Sequence, residues 1–257
     1  MALLPVSRID VTLRPPAGVE DVLLFESPRR DTALAVELLS RVASSGGVTV
    51  PWAELTLTDL ETCLLELRRL LFGDVVRAEA VCAAAGCRAK IDVSFRVSEY
   101  VVHHSPRETR DAMTDATDGW YSLSASDVAF RLPLAGDRIA VAAAAHPDRA
   151  LAARCLRPAA LPPHALRQTV RVMQTMAPAM ADVVQGRCPE CDTTVELWFD
   201  PQEFTLRELH DQAAYVFEEV HLLASRYHWS EAEILAMPRR RRLRYVELIR
   251  QQAEEHA

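Results

Sequence analysis

Two pairs of cysteines constrain this chain more than any other feature. Cys82 and Cys87 form a C-x4-C pair, and Cys188 and Cys191 form a C-x-x-C pair around Pro189 and Glu190. Both pairs have the same surroundings. Val75 to Val97 reads VVRAEAVCAAAGCRAKIDVSFRV, and Val183 to Phe199 reads VVQGRCPECDTTVELWF: strand, cysteine pair, strand in each case. After each pair the residues alternate, Ile91, Val93 and Phe95 in one and Val195, Leu197 and Phe199 in the other. That period of two marks a half-buried strand. Each segment is expected to be a β-hairpin with two thiols at its tip, and Gly86 gives the longer tip room to turn.

One hairpin tip can aim two thiolates at an ion, and a second tip completes a tetrahedron. Zn2+ favours such a four-thiolate shell, with Zn–S near ~2.3 Å. The spacing predicts a split zinc ribbon on Cys82, Cys87, Cys188 and Cys191 that closes only when the chain folds. Other readings compete with it. A redox C-x-x-C usually needs a thioredoxin-like βαβ context, which is missing. Two disulfides need an oxidising compartment. Four unrelated core cysteines would leave the paired hairpins unexplained. Cys63 and Cys155 differ, since each lies inside an apolar helical pattern and reads as a buried free thiol. A closed four-thiolate site keeps no open coordination position, so it stabilises the fold and does not activate water.

Hydrophobic residues make up 49% of the 257 and charged residues 25%, enough for a proper core and too apolar for wholesale disorder. The net charge of -7 disfavours non-specific nucleic-acid binding by the chain as a whole. No apolar run approaches the ~20 residues of a bilayer span. Met1 to Asp10 lacks the basic start and apolar run of a signal peptide. The expected compartment is the cytoplasm. Lys90 is the single lysine and asparagine is absent. Both use AT-rich codons, so the expected source is a GC-rich bacterial or bacteriophage genome, in which arginine would be the default cation.

Along the chain, Ile9, Val11, Leu13, Val22 and Leu24 suggest an arm of one or two short strands, broken by Pro15, Pro16 and Gly18. Asp31 to Val42 reads as a helix stopped by Ser44-Ser45-Gly46-Gly47. Thr58 to Phe72 reads as a helix with Thr58 and Glu61 as a capping box. Ser98 to Trp120 is polar and partly loop, with His103-His104 on the surface; Phe130 to Leu134 is extended. Asp137 to Ala145, Pro147 to Leu156 and Pro163 to Met176 are candidate helices. Thr205 and Glu208 suggest a capping box opening a helix that runs to Tyr227. Ser230 and Glu233 form a further box, and Pro238 suits the first turn of a last helix. The division is an arm with a first helix over 1–55 and a helical domain over 56–257 holding the ribbon.

Chemical motifs are few. No Gly-rich phosphate loop and no G-x-S-x-G elbow occur. Glu218 and His221 give one E-x-x-H, but a di-iron bundle needs a second copy. Arg239, Arg240, Arg241, Arg242 and Arg244 form a basic run at a helix N-terminus, where cations oppose the macrodipole. A partner carboxylate or phosphate would relieve it, although a solvated face remains open. Tyr227 and Trp229 at the preceding corner are candidate anchors for the same contact, or a staple for the helix that Ser230 caps.

CRAKIDVSFRV (Cys87 to Val97), FRLP (Phe130 to Pro133), the Cys188 knuckle and EVHLLASRYHWSEAEILAMPRRRRLRYVELI (Glu219 to Ile249) occur together here. In this combination the chain resembles the T4-like phage baseplate family of contractile tails and phage-like contractile injection systems, over roughly residues 55–252. The family's first knuckle is C-x-x-C, whereas position 84 here is Ala and the upstream thiol is Cys82. The resemblance implies a baseplate or hub assembly factor that is not an enzyme. Its partners would be hub, spike or tail-tube proteins, and it could be incorporated in the assembled particle. The expected fold is α+β, mainly helical, with a split zinc ribbon. The competing function is a zinc-ribbon nucleic-acid-binding protein using Arg239 to Arg244.

Overall fold

Residues 1–114, 119–124 and 127–255 are described by the computed structural model of the chain. It is an α+β protein built of small antiparallel sheets and many helices. Strands β1 (Ala2–Leu3) and β2 (Asp10–Leu13) open the chain, and helix α1 (Gly18–Glu26) follows. Val22 and Leu24, expected in a strand, lie in α1. Glu20 reaches back to the Ala17 N–H at 2.7 Å, which caps this helix after Pro15-Pro16. Helix α2 (Thr32–Val42) is capped by Asp31, which accepts from the Leu34 N–H. The Ser-Ser-Gly-Gly stretch does more than stop it. Strands β3 (Ala43–Ser45) and β4 (Val48–Thr49) pair across Gly46 and Gly47, whose φ values of 55° and 83° suit a two-residue hairpin turn. The sheet order is β1-β2-β3-β4.

A 3-10 turn (Trp52–Glu54) leads into α3 (Leu57–Phe72), the central helix. Its cap is Thr56, accepting from the Asp59 N–H, two residues before the expected Thr58. Thr58 and Glu61 are both buried, because tertiary partners claim them. Thr58 donates to the Pro178 carbonyl at 2.9 Å, and Glu61 accepts from Arg138 at 2.9 Å. Leu60, Cys63, Leu64 and Leu67 of α3 share one core with Leu4, Val11, Leu24, Leu38, Trp52 and Leu206, so residues 1–55 pack directly on the following part.

The first hairpin is β5 (Val75–Val81) with β6 (Lys90–Arg96), and α4 (Val97–His103) follows it. Strands β7 (Ala112–Thr114), β8 (Tyr121–Leu123) and β9 (Ala129–Phe130) then begin a second small sheet. Part of the polar insert, 115–118, lies outside the described residues. Helix α5 (Ala135–Val141) is shorter than expected; Asp137 accepts from the Leu134 N–H and from Arg131 and Arg154, which sets its start. After α6 (Pro147–Cys155), β10 (Leu156–Arg157) completes the sheet in the order β10-β9-β8-β7, and α7 (Pro163–Met176) packs on it through Thr169 and Val172.

The second hairpin is β11 (Asp182–Arg187) with β12 (Thr194–Phe199). The expected single helix from Thr205 to Tyr227 is two, α8 (Pro201–Ala213) and α9 (Val216–Tyr227). Asp200 is the cap of α8, accepting from the Glu203 N–H. Thr205 is a buried interior residue, and Glu208 pairs with Arg68 at 2.8 Å. The short α10 (Glu231–Leu235) has the expected capping box of Ser230 and Glu233, and α11 (Arg239–Glu255) ends the described chain. Among the described residues no helix is long and apolar enough to cross a membrane.

Candidate metal centre

The two hairpins form in the registers their alternation implies. Val76 opposes Phe95 and Ala80 opposes Ile91; Val184 opposes Leu197 and Gly186 opposes Val195. Their tips share a local conformation despite four intervening residues in one and two in the other. The N–H of Cys82 donates to the Ala89 carbonyl at 2.9 Å, and the N–H of Cys188 donates to the Thr193 carbonyl at 2.9 Å. In each tip the residue after the second cysteine is left-handed, Arg88 at φ 50° and Asp192 at φ 56°. This turn aims both thiols of a pair to one side.

The bases of the hairpins are brought together by α4. Tyr100 donates its hydroxyl proton to the Met180 carbonyl, and His104 sits between the Tyr100 carbonyl at 2.9 Å from Nδ1 and Asp182 at 3.3 Å from Nε2. The reading of His103-His104 as surface loop fails in two ways: His104 is buried, and His103, although exposed, ends helix α4. Phe95 and Tyr100 each meet Phe199 edge to face, in one cluster with Leu65 and Val76. Met180, just before the second hairpin, and Asp182, its first residue, are thus bonded to α4 and its C-cap just after the first hairpin.

At the tips all four thiols converge. Cys82 and Cys191 sulfurs lie 3.6 Å apart and those of Cys87 and Cys188 3.8 Å apart. All four ligand atoms lie within 4.8 Å of one another. A tetrahedral ion with ~2.3 Å metal–sulfur bonds needs sulfurs about 3.8 Å apart, and the two closest pairs are near that spacing, so this set could hold a metal ion. Cys82 and Cys188 are buried, Cys87 half-buried and Cys191 exposed, beside Ile91 and Val195. Backbone N–H groups two residues ahead, of Ala84, Ala89 and Thr193, point at the sulfurs of Cys82, Cys87 and Cys191. The Thr193 hydroxyl and N–H, with the other thiols, hold Cys191 down at about 6. For Cys87 the Ala89 N–H favours the thiolate, but the Cys191 sulfur and loss of water push it up to about 12. Four thiols this close do not all ionise without a cation among them.

Cys63 is buried in the main core and Cys155 at the end of α6, both away from this cluster, as expected. Glu218 and His221 are exposed, and Glu218 pairs with Arg250 at 2.8 Å.

The basic run divides. Arg242 is fully buried and Arg239 is 13% exposed at its side chain; both bond Asp21 of α1, and Arg242 also bonds Glu219 of α9 at 2.9 Å. These two arginines are internal, so they are not open to a partner. Sequence reasoning missed Asp21 and Glu219, whose role depends on contacts more than twenty residues away in the chain. Arg240, Arg241 and Arg244 are exposed. Trp229 is half-buried, stacks on Tyr227 at 4.7 Å and meets Tyr245 edge-on at 5.0 Å. It also shares a core cluster with Ile234, the arrangement of a staple across the Ser230 cap.

A scan against protein-family models, a search of curated proteins and a search of solved structures each find no match to this chain.

Proposed function

We propose that this protein is a non-catalytic assembly factor, a baseplate or hub component of a contractile phage tail or phage-like contractile injection system. One structural Zn2+ closes its fold, and it works through protein–protein contacts. The observation that carries the structural half of this reading is the convergence of Cys82, Cys87, Cys188 and Cys191 at separations that suit zinc. Four thiolates fill the preferred shell of Zn2+, so no position is left for water or substrate. The hub assignment rests on the likeness of Glu219 to Ile249 to the baseplate family.

The contact surface proposed for hub, spike or tail-tube partners is the outer face of α11. Arg240, Arg241 and Arg244 are exposed there beside Leu243, which is 45% exposed. The exposed edges of Tyr227 and Trp229 lie on the same group of packed helices. With Arg239 and Arg242 neutralised inside, the free cations are fewer than the sequence suggests, which weakens the nucleic-acid reading.

Co-expression with the hub, spike and tube proteins tests the proposal. The tagged chain should recover a partner complex, and Arg240→Glu with Arg241→Glu should abolish recovery while melting temperature and metal content stay unchanged. Unchanged recovery would move the contact elsewhere. Loss of nucleic-acid retention in place of partner recovery would favour the zinc-ribbon nucleic-acid binder.

A further inference from the structure

The charge of this chain is unevenly spread. From 149 to 181 it holds five arginines, Arg149, Arg154, Arg157, Arg167 and Arg171, and no acidic residue, although the whole protein carries -7. A genomic preference for arginine explains which cation is used. It does not explain the absence of Asp and Glu. Two of the five, though exposed, have partners within the chain: Arg154 bonds Asp137 at 2.8 Å, and Arg157 lies over the Trp120 ring at 3.8 Å. Arg149, Arg167 and Arg171 are exposed and have no acidic partner among the described residues.

The same segment leaves an apolar groove uncovered. Helices α6 and α7 meet in one apolar cluster, yet a cavity of about 220 Å³ lies between them. Leu151 and Ala152 of α6 face Leu166, Val170 and Met173 of α7 across it. Leu166 is 37% exposed and Val170 43% exposed. On α7 the apolar row Leu166–Val170 runs beside the cation row Arg167–Arg171, each at helical i, i+4 spacing. Asp148, at the start of α6, is the one acid on the groove wall among the described residues.

We propose that this groove docks an acidic amphipathic helix of a protein partner. Apolar side chains of that helix enter between α6 and α7, as in other helix-in-groove contacts, and its flanking carboxylates meet Arg149, Arg167 and Arg171. The cavity is below the usual size for a cofactor but accepts large aliphatic side chains. A nucleic acid would engage the arginines and leave the apolar wall unfilled, since among the described residues no aromatic ring lines the groove for a base to stack on. This surface is separate from α11, so the inference does not depend on the proposed baseplate role.

The test is selection on the full-length protein from a yeast-displayed library of helical peptides of about 16 residues, randomised on one face. Recovered peptides should carry an i, i+4, i+7 apolar row flanked by Asp and Glu. A recovered peptide should lose at least tenfold in affinity on Arg167→Glu with Arg171→Glu, and on Val170→Asp. It should be unaffected by Arg240→Glu with Arg241→Glu. The altered side chains are exposed, so thermal melts should match the parent; if Val170→Asp melts early, Val170→Ser replaces it. The proposal is overturned if acidic residues are not enriched, or if binding survives both groove variants. It is also overturned if a single-stranded oligonucleotide, and no peptide, binds in a manner lost with Arg167→Glu and Arg171→Glu.

Discussion

Asp21 and Arg242 form an ion pair in which both side chains are fully excluded from water, joining the first helix to the last across 221 positions. Arg239 binds the same carboxylate, and Glu219 binds Arg242 from the other side, so two acids and two bases neutralise one another in the interior. Breaking one side of such a cluster strands a buried charge, which costs about 3–5 kcal/mol. Asp21→Ala is expected to lower the melting temperature sharply. Arg240→Ala, two residues from Arg242 but exposed, should change stability by no more than about 0.5 kcal/mol. Chemical denaturation of the two variants checks this, and equal midpoints would remove the cluster from its proposed role.

The approach of α1 to α10 gives a second prediction. A Cβ on Gly18 would lie 2.6 Å from the Leu235 Cα and 2.9 Å from a terminal nitrogen of Arg242. Backbone cannot yield as a flexible side chain can, so Gly18→Ala should destabilise by about 1–3 kcal/mol. Gly186 has nothing within 4 Å of the equivalent position, and Gly186→Ala should be nearly neutral. Thermal melts of the two alanine variants separate close packing from general glycine effects.

Metal content follows from the four thiols. Protein purified without added metal should contain one Zn2+ per chain by elemental analysis, with Cys82, Cys87, Cys188 and Cys191 protected from thiol reagents. Structural zinc contributes on the order of 10 kcal/mol to small domains, so Cys191→Ser should lose metal and solubility together. Cys63 and Cys155 are buried away from the four thiols, so Cys63→Ala and Cys155→Ala should each cost about 1–3 kcal/mol at most, with metal retained. Freely reactive thiols in metal-free native protein would refute the zinc assignment.

Burial pushes Glu61 up to about 7, against the pull of Arg138. Between the unfolded value near 4.5 and this folded value, the native state holds a proton that the unfolded chain has released. Stability therefore falls as pH rises through this window, by up to about 1.4 kcal/mol per pH unit from this group, and levels off above 7. Glu61→Gln carries no titrating proton and should flatten that part of the curve. Urea midpoints of both proteins from pH 4.5 to 8 give the comparison.

The elements that were legible are those in which local pattern and final role agree. The two hairpins, the central helix, the Ser230–Glu233 box and the burial of Cys63 and Cys155 all follow from periodicity or capping chemistry within a few residues. Misreadings arose where a distant partner took over a local signal. Thr58 resembles a cap, but its hydroxyl is bonded to Pro178; Thr205 resembles a cap, but Asp200 starts its helix. Val22 and Leu24 resemble a strand until Glu20 caps a helix around them.

Sequence alone determined the cysteine pairs, the hairpins that present them and the chemistry they favour, because a hairpin and its knuckle form from neighbouring residues. Only the tertiary structure decided that the pairs meet, through the bonds of Tyr100 to Met180 and of His104 to Asp182. It also decided that two arginines of the basic run face inward. A helix turn made of consecutive arginines looks alike from every side in sequence; which side loses water depends on Asp21 and Glu219, which arrive from elsewhere in the chain.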